Sequence, residues 1–267
     1  MRICDCGLRL ACYISVRGGY HMTSIEAIIN RQFLRWEQEQ SRRPDRNRTS
    51  FEPPPIVTVS RQTGSRGSYF ASRLAQKLGY QRLHREVIDA ICESSGYRKR
   101  IVESLDESLR SEIELMVEAV FTGQAVDHSD YSRHLCRVIL SMARLGGVVL
   151  VGRGGNFILG PKRGFHMRVI CPMHRRITNL MEYKHLTRED AEQEAADSDR
   201  RRREFVRKLF DADIDDPQRY DLVLNAAYID VEEMVTTAIE AIRGKADKLS
   251  HLDNDHHPDS DDNAATA

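Results

Sequence analysis

Residues 56–79 read IVTVSRQTGSRGSYFASRLAQKLG, and they decide the fold. The β-branched residues at the start of this segment predict a strand, and the glycines at 64 and 67 predict a turn. The spacing of the apolar residues after the turn predicts an amphipathic helix. A strand that ends in such a turn presents backbone N–H groups and the positive end of the next helix, and both attract phosphate oxygens. The segment therefore predicts a phosphate-binding loop.

The loop departs from the common nucleotide-binding pattern GxxxxGK[ST], in which the lysine reaches the terminal phosphates and the hydroxyl holds Mg²⁺. Its only cations are Arg61 and Arg66. We expect Arg66 to act on the transferred group and Ser68 to be the metal ligand. The residues expected to bind the donor phosphates are Ser60, Arg61, Gly64, Ser65, Gly67 and Ser68. The alternative is a glycine turn that only joins strand to helix.

The composition excludes several classes of protein. The 267 residues contain 40 Lys and Arg and 40 Asp and Glu, so a formal net charge of zero gives no global attraction to nucleic acid or to an anionic membrane. The sequence has no run of about 18 apolar residues, which a transmembrane helix would require. We expect a soluble, cytoplasmic protein with one main domain and reduced cysteines, and neither nucleic acid nor a membrane as its partner.

The chain divides into four predicted segments: an extension without periodicity, a helix with a linker, the main domain, and an acidic tail expected to be disordered. Their bounds are residues 1–21, 22–55, 56–243 and 244–267. In the second segment a capping-box pattern at Thr23 and Glu26 opens a helix, and Phe33 and Trp36 belong to its apolar face. That face requires a partner, either the main domain or a second subunit, so a homodimer through this helix is an open alternative.

Strands alternate with helices through the main domain. Apolar runs bounded by turn residues predict buried strands at 147–151, 165–171 and 220–225. Charged or amphipathic stretches predict helices at 173–183, 187–210 and 231–242. Residues 93–145 are helical in pattern and too long for a simple crossover, which predicts a helical lobe inserted before the second strand. The alternation predicts an α/β fold with a parallel sheet covered on both faces.

Two further arginines are candidates for phosphate contact. Arg153, in the turn GRGGN, follows a buried strand directly and would lie at its carboxyl end, in the same crevice as the loop. It would bind a phosphate through two hydrogen bonds or pair with a carboxylate in a structural turn. In DSDRRRREF, Arg202 is expected to close over the transferred phosphate, with Arg203 in reserve, although such a run is also typical of a solvated helix face. The catalytic candidates are therefore Arg66, Arg153 and Arg202.

Five motifs occur in order, SRQTGSRG, LHREVIDAI, VLVGRGGNFIL, DSDRRRREF and DDPQRYDLVLNAAYI. Together they resemble the cytidylate kinase-like family over about residues 56–242. The resemblance implies a five-stranded parallel sheet, a lobe that binds a nucleoside monophosphate, a mobile lid, and transfer of the γ-phosphoryl group of ATP, with Mg²⁺, to CMP or a related acceptor. By position, Arg153 would hold the acceptor phosphate, Arg202 would be a lid arginine, and Asp221 and Asn225 would approach the adenine.

The sequence also departs from cytidylate kinases proper. These have the loop lysine at the position of Gly67 and, at the position of Gly154, an aspartate that contacts the acceptor nucleoside. The second strand ends at Gly152 without an aspartate to organise Mg²⁺. We therefore keep three hypotheses: a nucleotide-type phosphotransferase, a nucleotide-binding regulatory protein with impaired catalysis, and a small-molecule kinase with a non-nucleotide acceptor.

Overall fold

A computed structural model describes residues 24–41, 56–121 and 129–254 of the chain. Within these ranges five strands form one sheet: β1 (Val57–Arg61), β2 (Gln81–Leu83), β3 (Val148–Val151), β4 (Phe165–Ile170) and β5 (Leu222–Asn225). The sheet is parallel throughout, in the order β2-β3-β1-β4-β5. The predicted α/β fold with a five-stranded parallel sheet is confirmed.

Ten α-helices are described: α1 (Ser24–Ser41), α2 (Gly67–Leu78), α3 (Arg85–Glu93), α4 (Ser95–Glu103), α5 (Glu107–Phe121), α6 (Asp130–Leu145), α7 (Gly155–Leu159), α8 (Met173–Lys184), α9 (Arg188–Phe210) and α10 (Val231–Asn254). Helices α3 to α6 lie between β2 and β3, where the sequence predicts an inserted helical lobe. Helix α9 is the predicted charged helix that carries the candidate lid arginines. None of the described helices combines the length and apolar character needed to cross a bilayer.

The sheet is buried because helices cover both faces. Alternate side chains of β3 point in opposite directions, so that Val149 belongs to one apolar cluster and Leu150 to the other. The first cluster is completed by α2 and α10, and the second by α1, α3 and α6. Strand β1 lies in the centre, paired with β3 and β4. This position brings the loop after β1 and the turn after β3 to the same edge of the sheet.

Helix α1 is part of this packing. The side chains of Ile29, Phe33 and Trp36 are at most 3% exposed. The indole Nε1 of Trp36 donates to the backbone oxygen of Gly146 over 3.1 Å, and the Arg100 guanidinium lies 4.1 Å from the centre of the Phe33 ring. The main domain of the same chain therefore covers the apolar face that the sequence left without a partner.

The predicted disorder from residue 244 onward is wrong for residues 244–254, because α10 continues to Asn254. Lys245 fixes this part of the helix: its Nζ lies 2.6 Å from Oδ2 of Asp221 and donates to the backbone oxygen of Pro161 over 2.7 Å. The helix therefore continues past Gly244, where the sequence suggests a boundary. The predicted extension, most of the predicted linker and the end of the tail lie outside the described residues.

Candidate functional site

A cavity of about 390 Å³ opens at the carboxyl ends of β1 and β3. Helix α9 forms its far side, and the first turn of α3 contributes to its rim. The charged side chains that line it are five arginines and two glutamates: Arg61, Arg85, Arg153, Arg201 and Arg202 with Glu86 and Glu194. This excess of guanidinium groups favours an anionic ligand.

Arg61 is the last residue of β1, and its side chain crosses from the loop to the turn after β3. Its Nε donates to Oγ of Ser68 over 3.5 Å, and its Nη1 lies 2.8 Å from the place that a Cβ on Gly152 would occupy. Among the described residues, no carboxylate forms an ion pair with it. Burial, followed by repulsion from Arg202, lowers the pKa of the Arg61 guanidinium to about 9. A bound anion would relieve the cost of holding this charge.

Arg61 also leaves no room for a side chain at position 67. A Cβ on Gly67 would lie 2.6 Å from Cβ of Arg61 and 3.1 Å from Cβ of Val169. Real side chains do not tolerate the first of these distances, so the start of α2 has no room for a lysine while Arg61 is present. The guanidinium of Arg61 provides the positive charge at this edge of the sheet instead.

Arg66 points away from the cavity and is not among the residues that line it. It caps α2 in the left-handed conformation, with a φ of 60°. Its Nε donates to Oδ1 of Asn179 over 3.2 Å, and its Nη2 lies 3.5 Å from Oε2 of Glu182, both on α8. The structure therefore does not bring this catalytic candidate together with the other two.

Other predicted loop residues stabilise the turn. The buried hydroxyl of Ser65 donates to the backbone oxygen of Gln62 over 2.8 Å and accepts from N–H of Gly67 over 3.3 Å. Gly64 has a φ of +81° and packs against the backbone of α8 so closely that a side chain would overlap it. The hydroxyl of Ser60 accepts a hydrogen bond of 2.7 Å from Arg168. These residues fix the shape of the loop, while Ser68 stays exposed at the start of α2.

Helix α9 is docked on the loop through a carboxylate. Oδ1 of Asp199 accepts from the backbone N–H of Thr63 over 3.0 Å, and Oδ2 pairs with the buried guanidinium of Arg176. Three residues further on, Nη1 of Arg202 donates to the backbone oxygen of Arg61 over 2.8 Å. Arg202 therefore faces the cavity, whereas Arg203 does not line it.

Arg153 occupies a strained backbone position. Its φ is 56°, and the glycines on either side, Gly152 and Gly154, also have positive φ values. Its guanidinium pairs with Asp89, which also accepts from the hydroxyl of Tyr131 over 2.9 Å. Its Nε is buried without a hydrogen-bond partner. Arg153 therefore has a carboxylate partner, as the structural alternative proposed, and the residue also lines the cavity.

The family model for the cytidylate kinase-like family matches residues 56–228. The chain belongs to the cytidylate kinase-like family. A cytidylate kinase of Ignicoccus hospitalis is 25% identical over 182 residues, which cover 68% of this chain and 95% of that protein. A uronate isomerase of Corynebacterium glutamicum is 32% identical over 119 residues, but the match spans 44% of this chain and only 23% of that enzyme.

The fold is shared with a crystal structure of an uncharacterized protein from Eubacterium ventriosum. The TM-score is 0.57 at 16% sequence identity, and the alignment covers 71% of this chain and 98% of that one. At this identity the likeness concerns the fold alone.

The second departure of this cytidylate kinase-like chain, at Gly154, also has a packing cause. A Cβ at this position would overlap the ring of Phe210, so an aspartate does not fit there. Phe210 is stacked on Phe157, with ring centres 5.5 Å apart and planes 15° apart. Side chains of this chain therefore fill the space at both positions where residues typical of cytidylate kinases are missing.

Sequence reasoning missed Arg85, Arg201 and Asp199 as residues of the site. Arg85 begins α3 directly after β2, so recognising β2 as a strand would have pointed to it. Sequence reasoning also placed Asp221 near the adenine, which is wrong. Asp221 lies directly before β5, and its carboxylate accepts from N–H of His166 over 2.8 Å. This is the opposite end of the sheet from the cavity.

The described ranges contain no cluster of three or more His, Cys, Asp or Glu side chains that would hold a metal ion by itself. Kinase-type Mg²⁺ sites use one or two protein ligands, with phosphate oxygens and water completing the shell. The exposed hydroxyl of Ser68 at the start of α2 fits such a shared site. A metal held entirely by protein side chains does not fit these residues.

Proposed function

We propose that this protein is an ATP-dependent phosphotransferase that moves the γ-phosphoryl group of Mg-ATP to the phosphate of a small phosphomonoester, with CMP as the first acceptor to test. The observation that supports it most is the convergence of arginines from β1, α3, the turn after β3 and α9 on one cavity of a cytidylate kinase-like fold. Phosphoryl transfer depends mainly on positioning and charge stabilisation, which such an arrangement supplies.

The donor would bind at the start of α2. The first turn of this helix directs backbone N–H groups and the helix dipole toward the loop, where phosphate oxygens are favoured. Ser68 would be the protein ligand of Mg²⁺, whose role when bound is to neutralise the charge of the donor phosphates. Arg61 lies within hydrogen-bond reach of Ser68, so it would contact the same phosphate region.

Arg61 would take the part of the loop lysine. Both residues place a positive charge at the edge of the loop at neutral pH, but the guanidinium is planar and can donate two hydrogen bonds to one phosphate. Arg202, which donates to the backbone oxygen of Arg61, would bring a second positive charge from the lid helix. Arg153, which also lines the cavity, would hold the acceptor phosphate.

A transfer assay tests this function. The purified protein is incubated with Mg-ATP and CMP, dCMP, UMP, AMP or GMP, and ADP and the phosphorylated product are both quantified. We expect Arg61→Ala to reduce transfer by about 10²- to 10³-fold, the range seen when one charge-stabilising donor is removed. Arg66→Ala, the matched change in the same loop, should reduce it far less because Arg66 faces α8.

Arg153→Ala should abolish transfer and leave the fold intact, because Asp89 keeps the hydroxyl of Tyr131 as a partner. Equal losses for Arg61→Ala and Arg66→Ala would contradict the assigned role of Arg61. An unchanged rate in Arg153→Ala would remove that residue from the site.

A nucleotide-binding regulatory protein is the second candidate. Two observations favour it. The carboxylate of Asp199 already accepts the hydrogen bond from N–H of Thr63 on the loop, and a lysine does not fit at Gly67. Calorimetric ATP binding without transfer to any acceptor would support this candidate over the phosphotransferase.

A further inference from the structure

The cavity has an apolar side as well as a cationic one. Two half-buried aromatic rings and two aliphatic side chains form an apolar wall: Phe157, Phe205, Val206 and Ile214. They come from α7, from α9 and from the segment that follows α9. This wall presents carbon atoms to whatever lies beside the bound phosphate.

Several polar side chains that line the cavity already have hydrogen-bond partners inside the protein. The amide of Asn156 donates to the backbone oxygen of Arg219 over 3.3 Å. Oγ1 of Thr58 lies 2.9 Å from Nδ1 of His166. The carboxylate of Glu194 accepts from Nζ of Lys184 over 3.0 Å. Apart from the arginines and Glu86, the side chain of Ser198 is the main polar group that remains for an uncharged part of a ligand.

The apolar wall is supported from behind. Phe210 stacks on Phe157 and touches Phe205 edge-on at 6.4 Å between ring centres. The same ring excludes any side chain at Gly154. Where cytidylate kinases proper have an aspartate that contacts the nucleoside, this chain therefore has a packed aromatic ring. That ring gives the wall a fixed shape.

We infer that the acceptor is a phosphomonoester whose organic part is an apolar or aromatic group, held against Phe157 and Phe205 without hydrogen bonds to a base edge. This inference rests on the proposed function. In the reaction, an oxygen of the acceptor phosphate forms a bond to the γ-phosphorus of ATP while the bond from that phosphorus to the β,γ-bridging oxygen breaks. The products are ADP and an organic diphosphate.

Binding of acceptor probes to the full chain, measured by calorimetry without ATP, tests the inference. The probes are phenyl phosphate, CMP, ribose 5-phosphate and inorganic phosphate. Burying a phenyl group against the wall should make phenyl phosphate bind about tenfold or more tightly than ribose 5-phosphate and inorganic phosphate. It should also bind at least as tightly as CMP. Tighter binding of CMP than of phenyl phosphate, equal affinities for phenyl phosphate, ribose 5-phosphate and inorganic phosphate, or no binding of phenyl phosphate would each overturn the inference.

Two variants of one residue locate the effect. Phe205→Ala should weaken phenyl phosphate binding by about tenfold, whereas Phe205→Leu, which retains apolar contact, should weaken it much less. Inorganic phosphate affinity should stay within about twofold in both, which checks that Arg153, 5.0 Å from the Phe205 ring, is still in place. Equal loss for phenyl phosphate and inorganic phosphate in Phe205→Ala would overturn the assignment to the wall.

This experiment separates the inference from the function on which it rests. The affinity order is measured without a donor, so it is decided whether or not transfer occurs. If phenyl phosphate binds in the expected order and no acceptor is phosphorylated from Mg-ATP, the proposed phosphotransferase fails while the preference of the cavity holds. If CMP is phosphorylated and binds tenfold more tightly than phenyl phosphate, the function holds and the inference fails.

Discussion

The packing of Arg61 against Gly67 predicts an unusual result for Gly67→Ala. An alanine is normally favoured over glycine in a helix by about 0.5–1 kcal/mol. At Gly67 the new Cβ would lie 2.6 Å from Cβ of Arg61, and overpacking of this kind costs about 1–3 kcal/mol. We expect Gly67→Ala to reduce the free energy of unfolding by about 1–2 kcal/mol.

The clash should disappear when Arg61 loses its side chain. In an Arg61→Gly background, the closest remaining atom is Cβ of Val169 at 3.1 Å, which requires only a small adjustment. Adding Gly67→Ala to this background should change the free energy of unfolding by less than about 0.5 kcal/mol. The coupling energy of the double-mutant cycle should therefore be about 1–2 kcal/mol.

Urea unfolding followed by far-UV circular dichroism measures all four proteins of the cycle. Gly96→Ala is the matched control, because Gly96 lies in the first turn of α4 and a Cβ there would meet no atom closer than 3.8 Å. This variant should be as stable as the parent or slightly more so. The reasoning is refuted if Gly67→Ala has the same effect on the free energy of unfolding in both backgrounds.

Three further predictions concern other parts of the molecule. Asp199→Asn should lower the free energy of unfolding in urea by about 3–5 kcal/mol, because it leaves the buried charge of Arg176 without a counter-ion, and a loss under 1 kcal/mol would contradict the buried pair. Burial lowers the pKa of His166, so the unfolded state binds the proton more readily and the free energy of unfolding should fall as the pH drops below about 6.5. His166→Gln should lack this part of the pH dependence, and parallel pH profiles of the variant and the parent would argue against the role of His166. Trp36→Ala should cost about 3–5 kcal/mol by circular dichroism melting, whereas a melting temperature unchanged within error would mean that α1 is not part of the folded unit.

The central strands could be predicted from the sequence because their signals are local. The apolar run at 147–151 corresponds to β3 at Val148–Val151, and the run at 165–171 corresponds to β4 at Phe165–Ile170. Strand β2 was missed because its three residues, QRL, have neither length nor alternation, and it exists through pairing with β3. Tertiary pairing, rather than local propensity, determines such a short edge strand.

The shape of the candidate site could not be predicted for a related reason. The sequence shows that a lysine and an aspartate are absent, but the space at Gly67 is filled by the side chain of Arg61 and that at Gly154 by Phe210. Phe210 lies 56 residues away along the chain, so no local pattern connects it with the turn after β3. Likewise, the hydrogen bond from Thr63 to Asp199 joins two motifs that the sequence presents separately.

The left-handed backbone at Arg153 sets two selection pressures against each other. A glycine would adopt a φ of 56° more readily than arginine, by about 1 kcal/mol, and would bury no orphan Nε. A library screened only for resistance to heat should therefore enrich glycine at this position, whereas a library screened for turnover should retain arginine. The residue that comes out of each screen would report directly whether this turn exists for the stability of the sheet or for its ligand.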